Sequence, residues 1–170
     1  MNLLFRLFWV IVCARFRSPV LALGPCFTPF RCLPSDLAVL KHMNNGKHFS
    51  ILDIARADLL LRSRIASQLA RNGWYPIVVA ETIRSRKALK LFDAFVIETT
   101  VLGWDEKAFI VQQRFWRQDT CVADAVVRAQ VLKKSGGSVL PRELLSAAGV
   151  TAEPLDFPEW VREWNAQQMD

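Results

Sequence analysis

The chain has 170 residues, 52% hydrophobic and 22% charged, with a formal net charge of +6. That length suits one domain with a continuous core, and the composition excludes a disordered chain. The charge biases it towards anionic partners, but the basic residues are dispersed, no nucleic-acid-binding motif appears and a single Tyr offers little base stacking, so nucleic acid is not expected as a partner.

Residues 1–24 are apolar with Arg6, Arg15 and Arg17 interspersed, and the longest apolar run, Leu7 to Ala14, is far short of a membrane span. A secretory signal matches poorly, because charges both interrupt and follow that run and no A-x-A site is present. Two readings stand. A helix with Phe5, Leu7, Phe8, Trp9 and Val12 on a membrane surface would give peripheral membrane contact, and a helix packed on the body or on a second subunit would not. The expected location is cytoplasmic, with membrane association under the first reading.

Pro25 to Cys32 has the aromatic and β-branched look of a short strand leading to a turn at Pro34. Leu33 to Arg56 then reads as an extended segment, a polar turn and the start of a long helix, with Asn44 or Asn45 as N-cap. Free N–H donors, the positive helix end and the imidazole of His42 would suit a developing oxyanion there. From about Asn45 to Asn72, apolar positions such as Ile51, Leu52, Ala55, Leu59, Ile65 and Leu69 cover more than half the circumference, so the helix should be enclosed, with a break near Ser63. Asp58 and Arg62, at i, i+4, are expected to form a hydrated ion pair at its edge.

Asn72 and Gly73 stop the helix, and the period changes from 3.6 to 2. Tyr75 to Arg86, Ala94 to Leu102, Ala108 to Trp116 and Cys121 to Leu132 read as successive strands, with hairpin turns at residues 103–107 and 117–120. In the last strand the small apolar residues from Cys121 to Val131 alternate with Asp124, Arg128 and Gln130, which predicts one buried and one wetter face. Ser135 to Ser138 ends the sheet, Pro141 opens a short helix through Ala148, and Phe157 to Gln168 forms an amphipathic helix. The expected fold is α+β, a sheet wrapped around one helix.

Four cysteines, Cys13, Cys26, Cys32 and Cys121, lie at irregular spacings without a CxxC pair, so reduced, buried thiols are expected. His42 and His48, at i, i+6, suit no shared metal, and neither a metal nor a cofactor is expected.

The order of elements, with DLAVLKHMNNGKHFSILDIAR, IRSRKALKLFDAF, VLGWDEKAFIVQQRFW and AVVRAQVLKKSGGSVLPRELLSAAG, resembles the hotdog-fold thioesterases, most closely the thioesterase-like superfamily. The resemblance runs from about Phe5 to Gly149 and divides the chain into an N-terminal segment (1–24), a hotdog domain (25–150) and a C-terminal amphipathic helix (151–170). It implies hydrolysis of acyl-CoA or acyl-acyl-carrier-protein (acyl-ACP) thioesters between subunits of a homodimer or tetramer. In the 4-hydroxybenzoyl-CoA and acyl-ACP branches the turn is expected to read D-x-D or D-x-N-x-H, followed by N-N and an aromatic. Asp36 matches the first carboxylate, His42 the histidine, and Asn44 and Asn45 the amides. Ala38 stands where the reactive Asp is expected, Leu40 at the catalytic Asn and His48 at the usual Tyr, and an alanine can be neither nucleophile nor base. Asp53 and Arg56 match an acidic residue and an arginine common in these families.

Glu81 alternates with Ile77, Val79 and Ile83, and if that face is buried, desolvation would raise its pKa towards that of a general base. Arg84, Arg86, Lys87 and Lys90 form a basic cluster that could bind CoA phosphates or simply be a solvated strand end. The implied mechanism places the thioester carbonyl at the helix N-terminus, lets His42 orient water, and gives the proton to Asp36, Asp53 or Glu81. Two functions compete: an acyl-CoA thioesterase, and a non-hydrolytic acyl-CoA-binding or scaffolding protein that lost its base with Ala38.

Overall fold

In the computed structural model, which describes residues 3–154 and 156–169, the chain opens with helix α1 (Leu3–Ala14), strand β1 (Cys26–Arg31) and a 3-10 turn (Pro34–Asp36). Helices α2 (Asn45–Arg62) and α3 (Ile65–Asn72) follow, then β2 (Trp74–Ser85), β3 (Ala94–Trp104), β4 (Phe109–Arg117), β5 (Thr120–Lys133), β6 (Ser138–Val139), α4 (Pro141–Ala147) and α5 (Glu159–Gln167). The antiparallel sheet runs β1-β3-β4-β5-β2, with β6 on β5. It packs against α2, whose Ile51, Leu52 and Ala55 meet Phe95, Ile97, Phe115 and Ala125 in the main core. This is the α+β hotdog arrangement that the resemblance implies.

The expected break in the long helix is real. Ser63 ends α2 and Arg64 sits at φ 64°, a left-handed conformation that redirects the chain into α3. Gly73, at φ 66°, ends α3 with a backbone that a side chain would strain.

Three expectations need correction. Asp58 and Arg62 do pair, at 3.5 Å, but Asp58 is 0% exposed: its Oδ2 also accepts from Thr28 Oγ1 at 2.7 Å and from Arg17 at 3.1 Å. The N-terminal segment lies over that stretch of α2 and takes the place of the expected water. The wetter face of β5 is also covered, because α5 seals it: Val161, Trp160 and Trp164 pack on Ile110 and Val126, and buried Arg128 reaches Asn165 at 2.6 Å and pairs with Asp105. Gly103 admits this layer, since a Cβ there would lie 2.8 Å from the Phe157 ring. Finally, Cys26 and Cys32 are buried, with thiol pKa values pushed up to about 11, chiefly by burial, whereas Cys13 and Cys121 are only half-buried.

Helix α1 packs on the body and also presents an apolar surface. Arg6 and Val10 point inward, while Leu4, Phe5, Phe8 and Trp9 are exposed. Among the described residues, no helix is long and apolar enough to cross a membrane.

Candidate active site

The turn before α2 is built by its own polar groups. Asp36, 2% exposed, accepts the Leu33 N–H at 2.8 Å and pairs with Arg6 at 2.6 Å, and Arg6 also donates to the Arg31 carbonyl. Residues 38–42 form a tight loop in which the Ala38 N–H meets the His42 carbonyl at 2.7 Å. His42 bridges the backbone of Lys90, and its half-buried ring lies with Nδ1 3.4 Å from the Leu40 carbonyl. Asn44 is the N-cap, its Oδ1 accepting the Gly46 N–H at 2.8 Å, and its carbonyl takes the N–H groups of Lys47 and His48. Those donors, expected to be free for an oxyanion, are therefore used by the cap itself. Asn45 follows, exposed, as the first helical residue. His48 is buried edge-on to Phe115 at 5.4 Å, and burial holds its pKa below the ordinary 6.5 although the Asn44 carbonyl opposes this.

A second polar group lies at the middle of α2. One turn of helix brings Asp53 to Arg56, and the two pair directly. Arg56 Nη1 donates to Gln113 Oε1 at 2.7 Å, and Gln113 Nε2 donates to the Leu52 carbonyl at 3.0 Å and to Thr99 Oγ1 at 3.1 Å. Glu81 reaches the same guanidinium from β2, with Oε2 3.8 Å from Arg56 Nη2. That oxygen is buried and accepts no hydrogen bond among the described residues. Burial raises the Glu81 pKa, Arg56 lowers it and Asp53 raises it further. Burial likewise disfavours the charged form of Arg56, while Asp53 and Glu81 favour it.

Glu81 faces the helix with partly buried Ile83, as alternation suggested, but Val79 does not share that side. A register shift between Val78 and Ala80 leaves Val79 47% exposed, because a bulge breaks the period of two.

Beside this cluster lies a cavity of about 270 Å³ whose polar lining residues are Asp53 and Arg56; the remainder is apolar and comes from α2, α3, the sheet, α4 and residues 22–23. Of the residues singled out in the sequence, Asp53 lines it and Glu81 touches it through Arg56, whereas Asp36, His42, Asn44 and Asn45 are not in its wall. The basic cluster lies on the exposed end of β2 and the following loop, with Arg84 stacked 4.2 Å from the Trp160 ring centroid. Sequence reasoning missed Gln113 and Arg6. Gln113 carried a signal, since it shares the inward face of β4 with Val111 and Phe115, where a polar side chain must find partners. Arg6, thirty residues before Asp36, carried none.

A helix enclosed by an antiparallel sheet, with a charged cluster and an apolar cavity along it, defines a hotdog protein. Residues 32–165 match the thioesterase-like superfamily, and the chain belongs to that family. The protein THEM6 of Xenopus laevis is 34% identical over 134 residues, which cover 78% of this chain and 63% of that relative, so the match spans less than two thirds of its length. Among solved structures, the probable thioesterase YbaW of Escherichia coli aligns with a TM-score of 0.67 at 23% identity, covering 71% of this chain and 94% of that one. A 4-hydroxybenzoyl-CoA thioesterase mutant in complex with 4-hydroxybenzoyl-CoA aligns with a TM-score of 0.64 at 14% identity, covering 72% and 97%.

Proposed function

We propose that the chain hydrolyses acyl thioesters, with acyl-CoA or acyl-ACP as substrate. The observation that carries this reading is the cluster of Asp53, Arg56 and Glu81 at an apolar cavity beside the central helix. The acyl chain lies in the cavity, and the thioester carbonyl accepts from Arg56, which Asp53 and Gln113 hold in place. Glu81 takes a proton from the attacking water as the C–O bond forms, and returns it to the sulfur as the C–S bond breaks. Its raised pKa, and an Oε2 that accepts no hydrogen bond among the described residues, support that role. Asp36, His42, Asn44 and Asn45 shape the turn rather than touch substrate.

In the same reading Arg86, Lys87 and Lys90 take the CoA phosphates, with Arg84 braced on Trp160. The working unit is a homodimer, and the exposed Leu4, Phe5, Phe8 and Trp9 of α1 support contact with a membrane surface. A solved neighbour that holds 4-hydroxybenzoyl-CoA lends support to a CoA thioester.

The second reading is an acyl-thioester binder without hydrolysis. Ala38 favours it, together with the commitment of Asp36 to Arg6, because neither can supply a base at the turn. Release of free thiol from a panel of acyl-CoA substrates decides between them. Hydrolysis is expected, with Arg56→Met lowering kcat/KM roughly 100-fold or more, the scale of losing one oxyanion donor. Saturable acyl-CoA binding without thiol release across the panel would establish the second reading instead.

A further inference from the structure

We infer that the acyl group is an unbranched aliphatic chain of about eight to ten carbons, its length limited by Ala22, Leu69 and Leu144 at the end of the cavity away from Arg56. This rests on the thioester reading above and names the substrate within it.

The direction of the cavity follows from its walls. Asp53 and Arg56 stand at one end, opposite the Glu81 region of β2. Ile65 and Leu69 of α3 and Leu144 of α4 gather with Trp74, at the other end of β2, and Ala22 packs against that group. The long axis therefore runs along α2, and Asp53 to Leu60 alone spans about 10 Å at the helical rise. An extended alkyl chain laid along that run of about 10 Å has room for roughly eight to ten carbons before it meets Leu69 and Leu144.

The chemistry of the wall selects the kind of acyl group. Beyond Asp53 and Arg56 no polar side chain among the described residues lines the cavity, so a ring hydroxyl carried into it would be buried without a partner. Such a loss weakens binding roughly 10-fold to 100-fold. A plain alkyl chain has no such group to strand.

The end wall is fixed rather than loose. Residues 18–24 cross from α1 to β1 over the C-terminal half of α2, where Arg62 Nε donates to the Ser18 carbonyl at 3.0 Å and the Val20 N–H meets the Arg62 carbonyl at 3.3 Å. At the other side the Leu23 carbonyl accepts the Val101 N–H at 2.9 Å. The buried Asp58 fastens the start of this strap through Arg17. Ala22 and Leu23 are thereby held in the cavity wall, and a held wall gives a definite length limit.

The test is calorimetric binding of S-alkyl-CoA thioethers and of free fatty acids, each from four to sixteen carbons, with thiol release from the matching acyl-CoA esters followed in parallel. Affinity should rise about fourfold per methylene up to eight to ten carbons, then level or fall. S-(4-hydroxybenzyl)-CoA should bind at least 10-fold more weakly than S-octyl-CoA. Ala22→Leu, at a half-buried strap position, should shorten the optimum by about two carbons, and Leu144→Ala should lengthen it by a similar amount. An optimum for fatty acids or thioethers without thiol release supports the chamber and overturns hydrolysis. Hydrolysis with affinity still climbing to sixteen carbons, or an optimum unmoved by Ala22→Leu, overturns the chamber and leaves hydrolysis standing. No binding of either series overturns both.

Discussion

At the scale of single residues, Asp36, Asp58 and Glu81 each meet an arginine, and Glu81 is held least closely. Asp36 and Asp58 have guanidinium groups within 2.6 Å and 3.1 Å, whereas Glu81 lies 3.8 Å from an Arg56 already engaged by Asp53 and Gln113. Burial then raises the Glu81 pKa above the ordinary glutamate value. A base must be deprotonated to work, so kcat/KM for acyl-CoA should rise with pH through that raised pKa and then level. Glu81→Gln should remove this acid limb and lower kcat by about 100-fold or more, the usual contribution of a general base. The linkage has the opposite sign for stability. A raised folded-state pKa stabilises most below the unfolded value and is lost as pH rises through the folded one. Glu81→Gln should therefore unfold in urea at no lower concentration than the parent at pH 8, while being far less active. An acid limb that survives in Glu81→Gln would assign the base to another group, Asp53 first.

At the scale of elements, the interest lies in how α1 is fastened. An apolar helix ordinarily buries its largest side chains, yet here Arg6 goes inward and Phe8 and Trp9 stay out. The reason is Asp36: a buried carboxylate needs a partner, and Arg6 brings a planar donor pair that also reaches the Arg31 carbonyl. Removing the arginine alone would leave the charge stranded. Arg6→Met should cost about 3–5 kcal/mol in urea unfolding, and Arg6→Met/Asp36→Asn should recover much of it, since Asn can still accept the Leu33 N–H. A single-variant loss below about 1 kcal/mol would show that this pair does not hold the helix.

The same elements mark what sequence could reveal. The strands were legible because their hairpin turns and their period of two are local, and the cap was legible to within one residue, as Asn44 or Asn45, because a cap acts over two or three residues. Asp58 was not, since i, i+4 spacing with Arg62 looks like any surface pair and its other partners, Arg17 and Thr28, are distant in the chain. The second face of β5 was misread for a related reason: its polar residues are satisfied by α5 and by the hairpin residue Asp105. At the site, Asp53 could be named from the family resemblance and Glu81 from alternation, but their meeting at Arg56 needed the sheet to curl over α2.

At the scale of the whole molecule, the sheet ends are the remaining question. The two outer strands of the main path are β1 and β2, and each has one neighbour within it. An open edge exposes backbone donors and acceptors to any strand that can pair with them, and soluble proteins usually guard it with charge. The β2 edge is guarded weakly: Pro76 removes one donor, but Tyr75, Val78 and Val79 are exposed apolar residues at 39%, 40% and 47%. This strand also supplies Pro76, Ile77 and Val78 to the cavity wall, so a partner on this edge would stand beside the proposed acyl site. Antiparallel pairing of β2 with its own copy would satisfy the edge and cover the apolar patch in one closed, two-fold contact. Light scattering at micromolar concentration should then give a dimer. Tyr75→Lys/Val79→Lys, which touches neither Arg56 nor Glu81, should shift the species to monomer and lower kcat/KM if the partner helps to close the site. A monomeric parent would remove the dimer from the proposal, and a dimer that survives both lysines would move the interface to another face.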